Sequence, residues 1–523
     1  MATEGYSSII KSATVIMICT VAYKLLGFLR EFLLSYFFGT SGISDAFLIS
    51  LTIPSTLFEF VGTGLATCFI PIFFSIVSEQ GLEKANVFTN KVTTLIFAFS
   101  TLLIVLVWID TPLFVKIFAS GFKNETFDLA CDFTRIGILS LYFSALVFVY
   151  GSYLQAHKVF LPNSITAVFQ SAVVLFAIYV GAKYSLYAMC IICALAIGAR
   201  LFYIYPSVKR YGLRLRLNFK WNDSYLKRLG YLLIPVVLGC AVNDLNVIFD
   251  RTIASQVTIG AISALTYGNS LIQLANGGIV QPVATVYFPY ITKFISEGKA
   301  DDASKILRKT LSIMTTLFLL ITILFLIYST QITEVLFGRG AFDETAVNLT
   351  SSALFYYSTG LIFIAYREVI SRYYYANGDT KTPMYNAAIG VLFNIILNIL
   401  LAKYMGVGGL ALATSISALV TSTLLVFNTK RKLNLCISNY IEVKEWMKSL
   451  VAVIIVAVIA IFTIRFIEAN SIVHLIIHLT GFSIIYFVLC YFLKVQNVIM
   501  SLEWLKNKTI NIKNRYNESI NLE

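Results

Sequence analysis

The stretch Thr93-Thr-Leu-Ile-Phe-Ala-Phe-Ser-Thr-Leu-Leu-Ile-Val-Leu-Val-Trp-Ile109 contains no charged residue. With its flanks it reaches about 20 residues, enough for a helix to cross a hydrocarbon layer about 30 Å thick. Similar runs recur at Ile165–Val180, Leu311–Ile327, Val451–Ile464 and Ile476–Phe492. Over 523 residues, 58% are hydrophobic and only 13% charged, against roughly 25% charged in a soluble domain. No water-soluble core could hide that much apolar surface. The pattern predicts an all-α polytopic membrane protein with about fourteen transmembrane helices.

The expected spans are 8–37, 44–78, 89–110, 126–156, 160–182, 185–207, 225–254, 260–294, 304–330, 345–376, 383–403, 407–430, 446–467 and 471–493. The opening Met1-Ala-Thr-Glu-Gly-Tyr6 has no basic n-region, so no removable signal peptide is expected. Net charge is +13, and its distribution sets orientation. Arg210, Arg214, Arg216, Lys220, Lys305, Arg308, Lys430 and Arg431 belong to one set of alternate connections. That set holds roughly five times the Lys and Arg of the other, which has Lys116, Lys123 and Arg339. The positive-inside rule places both termini in the cytoplasm. Topology alone accounts for the basic charge, and no nucleic-acid partner is expected. Leu502, Trp504 and Leu505, set among lysines, suggest an interfacial helix in the tail.

The chain echoes itself. Phe69-Ile-Pro71 leads to Ser78-Glu79-Gln-Gly81, as Phe288-Pro289 leads to Ser296-Glu297-Gly298. Leu146–Val149 resembles Leu361–Ile364, and Gln155-Ala156…Pro162 resembles Tyr375-Ala376…Pro383. The offsets fall between 215 and 221. Two six-helix repeats, helices 1–6 and 7–12, are expected to form parallel bundles around a central cavity, with two extra C-terminal helices. The divisions are 1–207 and 225–430 for the bundles, 208–224 for a basic linker, 431–493 for the extra helices and 494–523 for a cytoplasmic tail.

A charge at a helix centre costs about 2.5–3.5 kcal/mol on insertion scales, so such residues face partners or cavities. The first helix carries Lys24, Arg30 and Glu31; Lys24 and Glu31 share a face. The second carries Asp45, Thr52, Thr56, Glu59 and Thr63 in one stripe, interrupted by Pro54. The seventh has Asn243, Asn246 and Asp250, with Asp244 aligned to Arg251; the eighth has Asn269, Gln273 and Asn276. Lys24, Arg30, Asp45, Glu31 and Glu59 are the expected cavity residues that bind substrate, and Asn243, Asp250, Asn269 and Gln273 its further lining. Lys and Arg facing a wet cavity suit a pyrophosphate. Asn394 and Asn398 read as interhelical hydrogen bonds, and Glu368 and Arg372 as a local ion pair. Cys190-Ile-Ile-Cys193 lies inside a span without a second pair, and His474 and His478 lack a third ligand, so no metal is expected. No cofactor signature stands out; drive would come from the membrane potential, an ion gradient or substrate flux.

Tyr23-Lys24-Leu-Leu-Gly27-Phe-Leu-Arg30-Glu31, Ser44-Asp45-Ala-Phe47 and Ile53-Pro54 resemble the opening of the MurJ/MviN lipid II flippases, within the multidrug/oligosaccharidyl-lipid/polysaccharide exporter superfamily. Phe337-Gly-Arg-Gly-Ala-Phe-Asp343, Tyr375-Ala-Asn-Gly-Asp-Thr-Lys-Thr-Pro383 and Val407-Gly-Gly-Leu-Ala-Leu-Ala-Thr-Ser415 follow in that family's order. The resemblance implies a flippase of the bacterial inner membrane, not an enzyme. It would move undecaprenyl-pyrophosphate-linked peptidoglycan precursor by alternating access, near cell-wall synthesis proteins. Lys24, Arg30 and Asp45 match the family's charged cavity positions. Helices 13 and 14 would hold the prenyl tail. Phe58, Glu59 and Ser270 stand where many members have Arg. Another polyprenyl-linked polysaccharide precursor is therefore an alternative cargo. Drug or cation antiport, a membrane glycosyltransferase and a non-transporting scaffold are the more distant readings.

Overall fold

The computed structural model describes residues 2–220, 222–432, 442–464 and 471–503. The expected tail helix lies mostly beyond them. Among the described residues there is no strand. The helices are α1 (Ala2–Phe38), α2 (Gly42–Gly64), α3 (Ile70–Gln80), α4 (Leu82–Ile109), α5 (Thr111–Phe118), α6 (Asn124–Gly137), α7 (Ser140–Ala156), α8 (Leu161–Lys183) and α9 (Leu186–Ala199). There follow α10 (Leu201–Arg210), α11 (Ser224–Val257), α12 (Ala261–Ser296), α13 (Ala300–Phe337), α14 (Glu344–Ser358), α15 (Leu361–Ala376), α16 (Lys381–Lys432), α17 (Val443–Ile464) and α18 (Ile472–Phe492).

Eight helices among the described residues are long and apolar enough to cross a membrane, or eleven when each of three bent pairs is one span. Fourteen is a finer number than that test gives. Two bent pairs recur where the sequence echoes itself: α6–α7 bends by 42° and α14–α15 by 47°. The second and third helical segments form one element, Gly42–Gln80. A π-turn at Leu65–Phe69 lets it run on. α16 covers two expected spans and breaks at Gly406, whose φ of 57° suits a residue without Cβ.

The described chain separates into two compact units. The first comprises residues 1–270, 337–349 and 395–410. In it α1 packs along α8, α8 along α9, α2 along α6, and α4 along α7. Phe58, Phe69, Phe73, Phe88, Tyr150 and Tyr153 belong to its hydrophobic core. The Tyr153 hydroxyl is satisfied by the Tyr211 carbonyl at 2.8 Å and Asn86 Oδ1 at 2.9 Å, as a buried phenol requires.

The basic linker is held to α4 by a ladder. Asn86, Asn90 and Thr94, spaced four apart on one helical face, meet extended backbone. Asn86 Nδ2 donates to the Gly212 carbonyl at 3.4 Å and Asn90 Nδ2 to that of Arg214 at 3.0 Å. The Arg216 amide donates to Asn90 Oδ1 at 3.2 Å and the Asn218 amide to Thr94 Oγ1 at 2.9 Å. Asp223 then caps α11 through the amides of Tyr225 and Leu226 and pairs with Lys91 at 2.5 Å.

The second unit holds residues 271–336, 350–394 and 411–523. Here α17 and α18 pack together and join α13 through polar contacts. Trp446 Nε1 donates to Thr315 Oγ1 at 2.7 Å and Tyr366 Oη at 2.9 Å, and the Tyr486 hydroxyl donates to the Thr316 carbonyl at 2.8 Å. Glu368 and Arg372 form the expected i, i+4 pair at 2.9 Å. His478 packs against Tyr328 and Phe482.

Candidate functional site

The second half of α1 carries three charged residues, Lys24, Arg30 and Glu31. Arg30 donates to Glu31 Oε1 through Nε at 3.0 Å and also through Nη2. The Arg30 side chain keeps 40% of its surface exposed, whereas Glu31 keeps 4%. Glu31 is therefore not a wall of an open cavity. It lies beneath the guanidinium and offsets part of its charge, because an uncompensated carboxylate would be costly in so dry a place. Lys24 is half-buried and forms no ion pair among the described residues. Gly27 lies between them, and a Cβ there would meet nothing within 4 Å. The helix is open around Gly27.

The sequence places Asp45 in the same cavity; the structure removes it. Asp45 is completely buried. Its Oδ2 accepts the Gly260 amide at 2.7 Å and its Oδ1 the Ser263 amide at 2.8 Å. These are unpaired amides at the start of α12, where the helix dipole also favours a negative charge. Asp45 is thus an N-cap supplied by another helix. Around it the Tyr267 hydroxyl donates to the Gly39 carbonyl at 3.0 Å. Arg251 donates to the Ile262 carbonyl at 3.2 Å and Thr266 Oγ1 at 2.8 Å, so its contacts run to α12 and not to Asp244. The loop before α14 closes the same end of this unit. The Ala341 amide donates to the Tyr36 carbonyl at 2.8 Å. Phe337, Phe342 and Tyr267 cluster beside it.

α2 and α11 run antiparallel in register. Cys68 Sγ donates to the Leu232 carbonyl at 3.4 Å. Thr63 meets Cys240 and Glu59 comes within electrostatic reach of Asp244, before Asp45 closes on Gly260. Glu59 is exposed. It stands at the rim of a recess of about 230 Å³ whose walls include Pro54, Phe58, Phe148, Cys190 and Cys193.

Asn243 is exposed and Asp250 half-buried. Asp250 accepts from Asn246 Nδ2 at 3.1 Å and from Asn398 Nδ2. Asn394 Nδ2 donates to Thr414 Oγ1 at 3.3 Å, so Asn394 and Asn398 both make hydrogen bonds to a neighbouring helical segment. Asn269 is half-buried in the first unit and Gln273 exposed in the second. In the second unit an apolar cavity of about 690 Å³ opens between Leu317 on α13, Phe487 and Tyr491 on α18, and Leu502.

A family model described as Lipid II flippase MurJ matches residues 34–481. A probable lipid II flippase MurJ of Rickettsia prowazekii (strain Madrid E) is 27% identical over 419 residues, covering 79% of this chain and 82% of its own. One from Buchnera aphidicola subsp. Baizongia pistaciae (strain Bp) is 26% identical over 489 residues, covering 91% and 93%. Among solved structures, a lipid II flippase MurJ in an inward closed conformation aligns with TM-score 0.78 at 24% identity, over 92% of this chain and 99% of that one. An inward-facing multidrug resistance transporter of the MATE family aligns with TM-score 0.65 at 13% identity, over 79% and 94%.

Proposed function

This chain belongs to the lipid II flippase MurJ family, and from that membership we propose how its residues move a lipid-linked cargo. It is a transporter rather than an enzyme, and it flips lipid II, the lipid-linked peptidoglycan precursor. Its place is a bacterial inner membrane, with both termini in the cytoplasm. The two bundles, 1–207 and 225–430, rock about a cavity between them, drawing on the membrane potential or an ion gradient.

The observation that carries the site reading is the Arg30 side chain on α1, 40% exposed, with Lys24 six residues away on the same helix. Together they attract the pyrophosphate while the sugar and peptide occupy the cavity. Glu59 and Asp244 line its path. The prenyl tail remains outside, and the apolar cavity beside α18 accommodates it. In alternating access, the clasp of Asp45 on α12 holds one end shut and must release for cargo to leave there.

A second cargo is supported by one specific feature. Glu59 is exposed at the rim of its recess, at a position where many members of the family have Arg. A different polyprenyl-linked saccharide, with a cationic group on its head, would suit that carboxylate.

The test is complementation. The resident lipid II flippase is depleted from a bacterial host, and this gene is supplied intact or as Arg30→Ala. Rescue by the intact gene alone supports lipid II as cargo and Arg30 as its ligand. Failure of a well-expressed intact protein, together with transport of another polyprenyl-diphosphate saccharide in proteoliposomes, would establish the second cargo instead.

A further inference from the structure

One cation in the first unit has no role in the account above. Arg200 sits at the joint between α9 and α10, between Ile197-Gly198-Ala199 and Leu201-Phe202. The span that contains it runs from Leu186 to Arg210. Arg200 Nη1 donates to Gln170 Oε1 at 3.4 Å, a long contact with a neutral amide. Its Nε is buried and has no hydrogen-bond partner. No carboxylate pairs with it among the described residues. A guanidinium cannot shed its charge, and an unpaired charge in a dry setting is strongly disfavoured. It calls for an anion that the folded chain does not supply.

Two features say which anion. Arg200 lies ten residues from the span end at Arg210, about 15 Å along a helix. An anion carried into the protein on a cargo would meet it there. Arg200 also stands beside the site on α1. Tyr23 is within electrostatic reach of both Arg200 and Arg30, and Arg30 is within reach of Cys193. Seven residues separate Tyr23 from Arg30 on α1, and seven separate Cys193 from Arg200 on the antiparallel span. The two helices therefore run in register, with the exposed Tyr23 near the level of Arg200, Arg30 near the level of Cys193, and open space at Gly27. Glu31 already offsets Arg30. Lys24, Arg30 and Glu31 together leave one net positive charge, which falls short of a diphosphate.

We propose that Arg200 is a third cargo-binding cation, forming with Lys24 and Arg30 the seat of the cargo's diphosphate. It compensates for the arginines that this chain lacks at positions 58, 59 and 270. The inference rests on the flippase reading of α1 and adds a residue from the α9–α10 joint to it.

The full chain in lipid nanodiscs is titrated with farnesyl diphosphate, farnesyl monophosphate and farnesol. Arg200→Gln lowers affinity for the diphosphate about tenfold, equivalent to about 1.4 kcal/mol. It lowers affinity for the monophosphate less and leaves farnesol unchanged, while Arg200→Lys recovers part of the loss. Arg30→Ala is measured in parallel. If Arg30→Ala loses the diphosphate and a folded Arg200→Gln does not, the role of Arg200 is overturned and the α1 site stands. If neither loses it, the α1 site fails as well. An equal loss for farnesol would mean a structural role and also overturns the proposal. Should Arg200→Gln fail to fold, phenylglyoxal labelling of the unaltered protein decides. Farnesyl diphosphate shields Arg200 from modification if it is a ligand, and leaves it reactive if it is not.

Discussion

Asp45 Oδ1 accepts the Ser263 backbone amide at 2.8 Å, across 218 residues of chain. With the Gly260 amide on Oδ2, the carboxylate satisfies two buried donors at once. Asp45→Ala leaves both unpaired, a loss of about 1–3 kcal/mol for each. Asp45→Asn retains one acceptor and falls between. Thermal unfolding of the purified protein checks this ranking; an Asp45→Ala protein that melts like the original would show that the clasp adds nothing.

Gly39 and Gly340 explain why two loops of the first unit approach so closely. Gly39 has φ of 57°, and a Cβ on it would lie 2.3 Å from the Ala341 carbonyl oxygen. Gly340 has φ of 68°, and its Cβ would lie 2.2 Å from the Tyr36 carbonyl oxygen. Either Gly→Ala change forces these loops apart and strains the backbone, by about 1–2 kcal/mol for the left-handed conformation alone. Gly81→Ala is the control. Its φ is also positive, at 85°, but its Cβ meets nothing within 4 Å. A larger drop in melting temperature at Gly39 and Gly340 than at Gly81 is the expected result.

Lys24→Ala and Arg30→Ala should each abolish transport while the protein still reaches the membrane in folded form. Arg30→Ala also leaves Glu31 buried without its cation, so Arg30→Lys, which keeps the charge and loses the fork, separates the two effects. Full activity of the Lys24→Ala, Arg30→Ala double variant in the complementation assay would remove these residues from the site.

The Asp223–Lys91 contact lies in the linker and is sensitive to acid. Burial works against the Asp223 carboxylate, but the bond from Lys91 and the amides of Tyr225 and Leu226 outweigh it and hold its pKa below the ordinary value. A depressed carboxylate contributes stability above its unfolded pKa, about 4, and loses it as pH falls through the lower folded value. The destabilisation caused by Asp223→Asn should therefore be full at neutral pH and shrink below about pH 4. Melting curves of both proteins across that interval, giving a difference that does not change with pH, would contradict the assignment.

The membrane architecture was readable because length and apolarity act locally: Thr93–Ile109 needs no partner to announce a span. Glu368 with Arg372, one helical turn apart, was readable for the same reason. Asp45 was not. Its stripe with Thr52 and Glu59 is real, but which way the stripe faces at its first residue depends on amides more than 200 positions later. Nor did the alignment of Asp244 with Arg251 on one helix anticipate that Arg251 would turn to Ile262 and Thr266. Arg200 was not legible as a site residue because it lies near the end of its expected span, a short way before the basic linker. The signal was present nonetheless, as a lone charge with apolar residues on both sides.

The ladder from Asn86, Asn90 and Thr94 touches only main-chain atoms of the linker. It is indifferent to which side chains the linker bears and sensitive only to whether amides exist. Arg214 contributes a carbonyl, so Arg214→Pro keeps that bond, whereas Arg216→Pro and Asn218→Pro each delete a donor. Mutational tolerance along this segment should accordingly be high for most replacements and low for proline at two alternate sites.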